Sequence, residues 1–173
     1  MTESTSQEPN YADKYDLQDP QQLAEACTEA LLADDPLTKE LKMEITVIKP
    51  GYAELTMPVQ DWMANGHDTC HGGMIFSLAD SAFAFSCNSE NYPTVAAGCS
   101  IDYISPGHRG DMLTAKASKT HQRGRTGVYD VRVENQKGDL IALFRGRSHR
   151  IKGVVVPGTT NDAPTRTSQK TGS

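Results

Sequence analysis

The chain has 173 residues, a formal net charge of −5 and 23% charged residues. That length fits one domain, and the acidic balance gives no support for a nucleic-acid partner. No apolar run nears the ~20 residues of a membrane span, and Met1-Thr-Glu-Ser-Thr-Ser-Gln-Glu8 lacks the basic and apolar parts of a signal peptide. A cytoplasmic protein with no membrane partner is therefore expected. Cys27, Cys70, Cys87 and Cys99 show no framework spacing and read as reduced thiols.

Residues 1–18 are polar, acidic and aperiodic, the pattern of a disordered arm. Asp19-Pro20, a cap and first-turn pair, opens a short helix from Gln21 to about Ala33. Met43, Ile45 and Val47 alternate with polar residues, Lys49-Pro-Gly51 turns, and Ala53, Leu55, Met57 and Val59 alternate again, which predicts a hairpin. A helix follows over Gly72–Asn88, with apolar residues round nearly its whole circumference, so it is expected to be buried.

Four strand-like runs come next. Val95 to Ile104 sets Val95, Ala97, Cys99, Ile101 and Tyr103 on one expected face. The others are centred on Leu113–Ala117, Tyr129–Val133 and Leu140–Ile151. Residues 154–173, rich in Thr, Ser, Gly and Pro, read as a disordered tail. Residues 19–153 are then one α+β domain. Hairpin-length links imply an antiparallel sheet, and an all-apolar helix needs that sheet to curve around it. A second copy would cover the half-wrapped helix and the free sheet edge, so a homodimer is expected.

Asp80 is the one charge within Met74–Cys87. Such a carboxylate must be hydrogen-bonded, paired or protonated, because unpaired burial is costly. An ion pair with an arginine would make it structural, and an unpaired state would mark a working site. Gly72 and Gly73 start the same helix. Taken alone they read as a tight, closely packed loop-to-helix turn, and beside Asp80 they offer free N–H groups that, with the helix dipole, suit a developing negative oxygen. From Gly72 to Asp80 is about 12 Å of helix axis, too far for both to hold one reacting carbon. Two antiparallel helices of a twofold dimer would bring a carboxylate to the other subunit's glycines.

The polar loop Asn65-Gly-His-Asp-Thr-Cys-His71 feeds that helix. Asn65 could orient a water or simply build a turn, and His71 could touch substrate or cap the helix. His67, Cys70 and His71 have only loose metal-like spacing, and no metal is expected. Cys70 beside His71 has the residue types of a nucleophilic pair, but adjacency in sequence does not bring a thiol and an imidazole into bonding reach. Basic residues gather at His121–Arg125 and Arg145–Arg150, either as solvated strand faces or as a phosphate-binding rim.

Asn65-Gly-His67, Cys70-His-Gly-Gly73, Ser77-Leu-Ala-Asp80, Asp102-Tyr103, Ser105-Pro-Gly107, Gly127-Val-Tyr-Asp130 and Phe144-Arg-Gly-Arg-Ser-His-Arg150 together resemble the hotdog-fold acyl-CoA thioesterases, of the phenylacetic-acid-degradation (PaaI) type. The resemblance covers roughly Leu23 to Gly153. It implies a helix in a curved sheet, homodimers doubled into homotetramers, and hydrolysis of aryl-acyl-CoA thioesters such as (hydroxy)phenylacetyl-CoA. No cofactor or metal is implied, since coenzyme A belongs to the substrate. By position, Asp80 matches the catalytic carboxylate, Asn65 the polar residue near the attacking water, Gly72 the backbone donor to the thioester carbonyl, and His71 the histidine before it. Gly73, Arg123 and Arg125 are carried as substrate-binding candidates. Some aryl-CoA relatives have a Thr one turn past the carboxylate, where this chain has Ala84. Two rivals stand beside hydrolysis: an acyl-thioester hydratase or dehydratase using His71, and a non-catalytic acyl-CoA-binding dimer.

Overall fold

The computed structural model describes residues 10–161. Helix α1 (Pro20–Ala33) starts where Asp19 accepts the Gln22 N–H at 2.9 Å, with Pro20 in the first turn. The five-residue α2 (Pro36–Glu40) repeats the device, with Asp35 accepting from Leu37 and Thr38. α3 (Gly72–Asn88) is the central helix. The strands are β1 (Glu44–Lys49), β2 (Tyr52–Pro58), β3 (Thr94–Tyr103), β4 (Met112–Arg123), β5 (Thr126–Glu134) and β6 (Leu140–Arg150). They form one antiparallel sheet in the order β1-β2-β4-β5-β6-β3.

All six strands touch α3. Ala53, Leu55 and Met57 of β2, Leu113, Ala115 and Ala117 of β4, and Tyr129, Val131 and Val133 of β5 are buried beneath it, as period-2 alternation requires. Several of these positions, like Ala79 and Ala82 of the helix, are fully buried alanines. Short side chains on both sides let the helix settle close to the sheet. α3 is nevertheless not covered all round. Gly73 and Ala84 are exposed and Ser77 and Asp80 half-buried, a stripe at i, i+4, i+7 and i+11.

β3 is a ten-residue edge strand that pairs, among the described strands, with β6 alone. The register skips a residue between Ala96 and Gly98, so a β-bulge at Ala97 breaks the alternation. Cys99, Ile101 and Tyr103 lie opposite Gly146, Phe144 and Ala142, all buried, and so face the helix. Val95 lies opposite exposed His149 and faces outward. The single face expected for Val95 through Tyr103 is thus split by the bulge.

The expected arms are also shorter than their composition suggests. Tyr11 and Val156 are buried against Ala26 and Cys27 of α1, joined by Tyr15, Leu17 and Val155 in a second small core. Asn91 holds the C-terminal segment by accepting from the Val155 and Val156 N–H groups at 3.0 and 2.8 Å and donating to Thr159 Oγ1 at 2.9 Å. It does so at φ 64°, which asparagine tolerates better than most residues. Residues 10–18 and 154–161 therefore belong to the folded unit. The rest of the expected arms, 1–9 and 162–173, lies outside the described residues.

Candidate active site

The loop before α3 is built by Asn65. Its Oδ1 accepts from the His67 N–H at 2.9 Å, the Thr69 N–H at 3.3 Å and the Thr69 hydroxyl at 3.2 Å. That is an Asx-type turn, and it leaves the Asn65 amide NH2 without a partner among the described residues. The loop is anchored at its far end, where Cys70 N–H donates to Gly107 O (2.8 Å) and His71 N–H to Met63 O (2.7 Å).

The two glycine amides differ. His71 is the N-cap, and its Nδ1 accepts the Gly73 N–H at 3.1 Å. The Gly72 N–H has no acceptor among the described residues. It is one of the orphan donors of a helix start, at the positive end of the dipole. Tyr103 crosses over from β3 and donates its hydroxyl to Gly72 O at 2.9 Å. A Cβ at Gly72 would sit 3.0–3.1 Å from the Tyr103 ring and hydroxyl, so a glycine is what permits this approach. Asn65, Thr69, Gly72, Ile75, Tyr103 and Ile104 line a cavity of about 330 Å³ beside the free amide, a size and mixed lining suited to a small ligand group.

Asp80 lies two turns further along, on the open stripe of α3 and half-buried. It makes no ion pair among the described residues, so the structural alternative of a neighbouring arginine does not apply. Its one hydrogen-bond partner there is the Cys99 thiol, with Sγ 3.9 Å from Oδ1. Desolvation pushes the Asp80 carboxyl above the usual carboxylate range, and the Cys99 contact partly opposes that. Asp80 does not line the cavity at Gly72. Within one chain, the carboxylate and the free amide are separate.

The remaining candidates sort by surroundings. Cys70 is buried, its thiol is pushed up to about 11 by burial, and Sγ points to the His71 carbonyl oxygen at 3.8 Å. That is not a thiolate–imidazole pair. No group of three or more His, Cys, Asp or Glu is placed to hold a metal among the described residues. Phe83 and Phe85 are buried core. Arg125 lines a cavity of about 560 Å³ with Arg150, Lys152 and Tyr92, whereas Arg123 ends β4 in an exposed position outside it. Arg145 is taken by Asp130 (2.6 and 2.9 Å) and Arg150 by Glu90 (3.0 Å). A larger groove of about 700 Å³ lies on the outer sheet face, bordered by Tyr52, Ser118, Asp130 and Arg145, and is lined by none of Asn65, His71, Gly72, Gly73, Asp80, Arg123 and Arg125.

Tyr103 and Cys99 are the site neighbours that sequence periodicity does not single out. Their alternation with Ile101 gives a helix-facing side for β3. Nothing local says that β3 lands beside β6, at the height of Asp80.

Residues 67–142 match the family model of the thioesterase superfamily. The Escherichia coli K12 acyl-coenzyme A thioesterase PaaI is 48% identical over 126 residues, 73% of this chain and 90% of that protein. The structure of the E. coli PaaI protein from the phenylacetic acid degradation operon superposes with a TM-score of 0.75 at 47% identity, covering 76% of this chain and 96% of that one. A Streptococcus mutans protein solved with acetyl-CoA aligns with a TM-score of 0.61 at 28% identity over 63% of this chain and 88% of its own. The six-stranded sheet wrapped on α3 and the 90% span of a 48%-identical relative place this chain in the thioesterase superfamily, as a hotdog-fold acyl-CoA thioesterase of the PaaI type.

Proposed function

We propose that the chain hydrolyses aryl-acyl-CoA thioesters, (hydroxy)phenylacetyl-CoA among them, at two equivalent sites of a homodimer. The carrying observation is the separation of two unspent groups: a free Gly72 amide at a helix start and a half-buried Asp80 without a cation. About 12 Å of helix divides them, so each needs its counterpart from a second copy. β3 supports that assembly. It is a long edge strand carrying exposed Val95 and Tyr103, followed by exposed Ile104, and such an edge is a template for pairing. Antiparallel pairing of two β3 strands would bring the open stripes of two α3 helices side by side. A homotetramer would follow from pairing two such dimers.

In this reading the thioester carbonyl oxygen accepts from Gly72 N–H, and the helix dipole stabilises the oxyanion as it forms. Asn65 offers its free NH2 group to the attacking water, and His71 acts through the helix start by holding Gly73 N–H. Asp80 of the partner subunit takes the water proton as general base, or attacks the carbonyl to give a mixed anhydride that water then cleaves. Both routes release coenzyme A as a thiol and need an ionised Asp80. The cavity at Gly72, walled by Ile75, Tyr103 and Ile104, is sized for a ring. Arg125 with Lys152 offers a basic rim for the phosphates of coenzyme A. Four unpaired thiols suit a reducing, cytoplasmic setting.

The test is thiol release from phenylacetyl-, hydroxyphenylacetyl-, short aliphatic and long aliphatic acyl-CoA. Release is expected to be fastest with the aryl pair, by about tenfold or more in kcat/KM. A preference for aliphatic chains would overturn the aryl assignment. An enoyl-CoA hydrated with its thioester intact would favour the hydratase alternative.

A further inference from the structure

We infer that Cys99 is a positioning residue for Asp80, its S–H fixing one carboxylate oxygen so that the other faces the reaction. The inference rests on the reading of Asp80 as the working carboxylate. The contact is Cys99 Sγ to Asp80 Oδ1 at 3.9 Å, the long end of an S–H···O contact, and Asp80 has no other hydrogen-bond partner among the described residues. An ionised carboxylate has about four acceptor sites, so one donor at Oδ1 orients the group and leaves Oδ2 open.

The fold shows why this contact falls to Cys99. The bulge at Ala97 sets the phase of β3, turning Cys99 rather than Gly98 or Ser100 toward the helix. Its cross-strand partner is Gly146, which has no side chain, and the space over Gly146 is filled by the Phe83 ring. On α3 itself the residue one turn beyond Asp80 is Ala84, which carries no donor. Among the described residues, Cys99 is the one strand residue that hydrogen-bonds to Asp80.

Desolvation, with the neighbouring carboxylate, keeps the thiol a donor. Burial and the Asp80 charge push the Cys99 thiol up, with Arg147 acting weakly against them, so it holds its proton where the carboxylate has lost one. A nucleophilic thiolate would need the opposite environment. The other titratable neighbours are Cys87, further along α3 and itself pushed up by burial, and Arg147 of β6, which acts on Cys99.

The experiment measures kcat/KM for phenylacetyl-CoA against pH in wild type, Cys99→Ala, Cys99→Val and Cys99→Ser, with Asp80→Asn as reference. Valine suits an edge strand and leaves no void where the thiol was, so it stands in should alanine disturb the fold. Loss of the donor is expected to move the acid limb to higher pH in Ala and Val, because an undonated carboxylate holds its proton longer. At a fixed pH on that limb the loss should be about three- to tenfold, while serine, still a donor, restores the wild-type limb. An unmoved limb in Ala and Val, with Asp80→Asn inactive, overturns the role of Cys99 alone. Full turnover in Asp80→Asn overturns the reading of the site and this inference with it.

Discussion

Asp80→Asn is expected to lower kcat by about a hundred- to ten-thousandfold while the protein folds normally. Asparagine keeps the shape of the carboxylate and can still accept from Cys99, so α3 and β3 stay in place. It loses the negative charge, and with it both the general-base and the nucleophilic route. The same substitution should raise the melting temperature by a few degrees near neutral pH. Desolvation lifts the Asp80 carboxyl in the folded state, so the folded protein holds that proton more tightly than the unfolded chain. The stabilising effect of the proton is full below the ordinary carboxylate range and lost as pH rises through the folded value. The ionised wild type therefore carries a cost that asparagine removes, and the two proteins should converge in stability as the carboxyl protonates. Paired turnover and thermal-melting measurements across pH check both halves. Near-normal turnover in a folded variant contradicts the role of Asp80, and an unchanged melting temperature contradicts its desolvation.

Gly146→Ala is expected to destabilise the fold by about 1–3 kcal/mol, an overpacking cost. A Cβ there would lie 2.8–2.9 Å from three carbons of the Phe83 ring. The ring has little freedom to retreat. Phe83 is 1% exposed, edge-on to Tyr129 at 5.4 Å and tilted against Phe144 at 5.9 Å. β6 is held between β5 and β3, so the strand cannot yield either. At this chain length such a cost lowers the melting temperature by roughly 2–12 °C. Because Gly146 pairs with Cys99, a strand pushed off the helix also lengthens the Cys99–Asp80 contact, and turnover should fall along with stability. Phe83→Leu in the same chain should recover part of the stability, since the two sites share one space. Wild-type melting of Gly146→Ala would contradict the packing described for α3 on β6.

What could be read from the sequence follows from how local each signal is. Strand-like runs and the turns between them marked all six strands, and the glycine pair and unbroken apolar run gave α3 its limits at Gly72 and Asn88. α2 gives no periodic signal, because five residues hold little more than one turn, and only Asp35-Pro36 hints at it. The face of Val95 was hidden by a one-residue bulge, which sequence alternation alone cannot reveal. Tyr11 and Val156 look like stray apolar residues in polar tails, and their burial depends on sharing a cluster with Ala26 and Cys27 of α1. At the site, Asp80 and Gly72 were marked by a charge and a backbone type out of place in their surroundings. The division of labour between Gly72 and Gly73 was not, since it turns on the His71 ring reaching one amide. Cys99 becomes meaningful only once β3 has crossed to the sheet edge beside β6.

Subunit complementation tests the central claim, that Asp80 of one subunit serves a thioester held at Gly72 of the other. Asp80→Asn and Gly72→Val chains would be produced separately and then co-expressed, with thiol release from phenylacetyl-CoA as the readout. Valine at position 72 covers the free amide and crowds Tyr103, so each variant alone should be nearly inactive. Random pairing makes about half the dimers hybrid, and each hybrid has one site with both groups intact, so about a quarter of wild-type activity should return. Hybrid dimers that form but release no thiol would place both groups in a single chain and contradict the account.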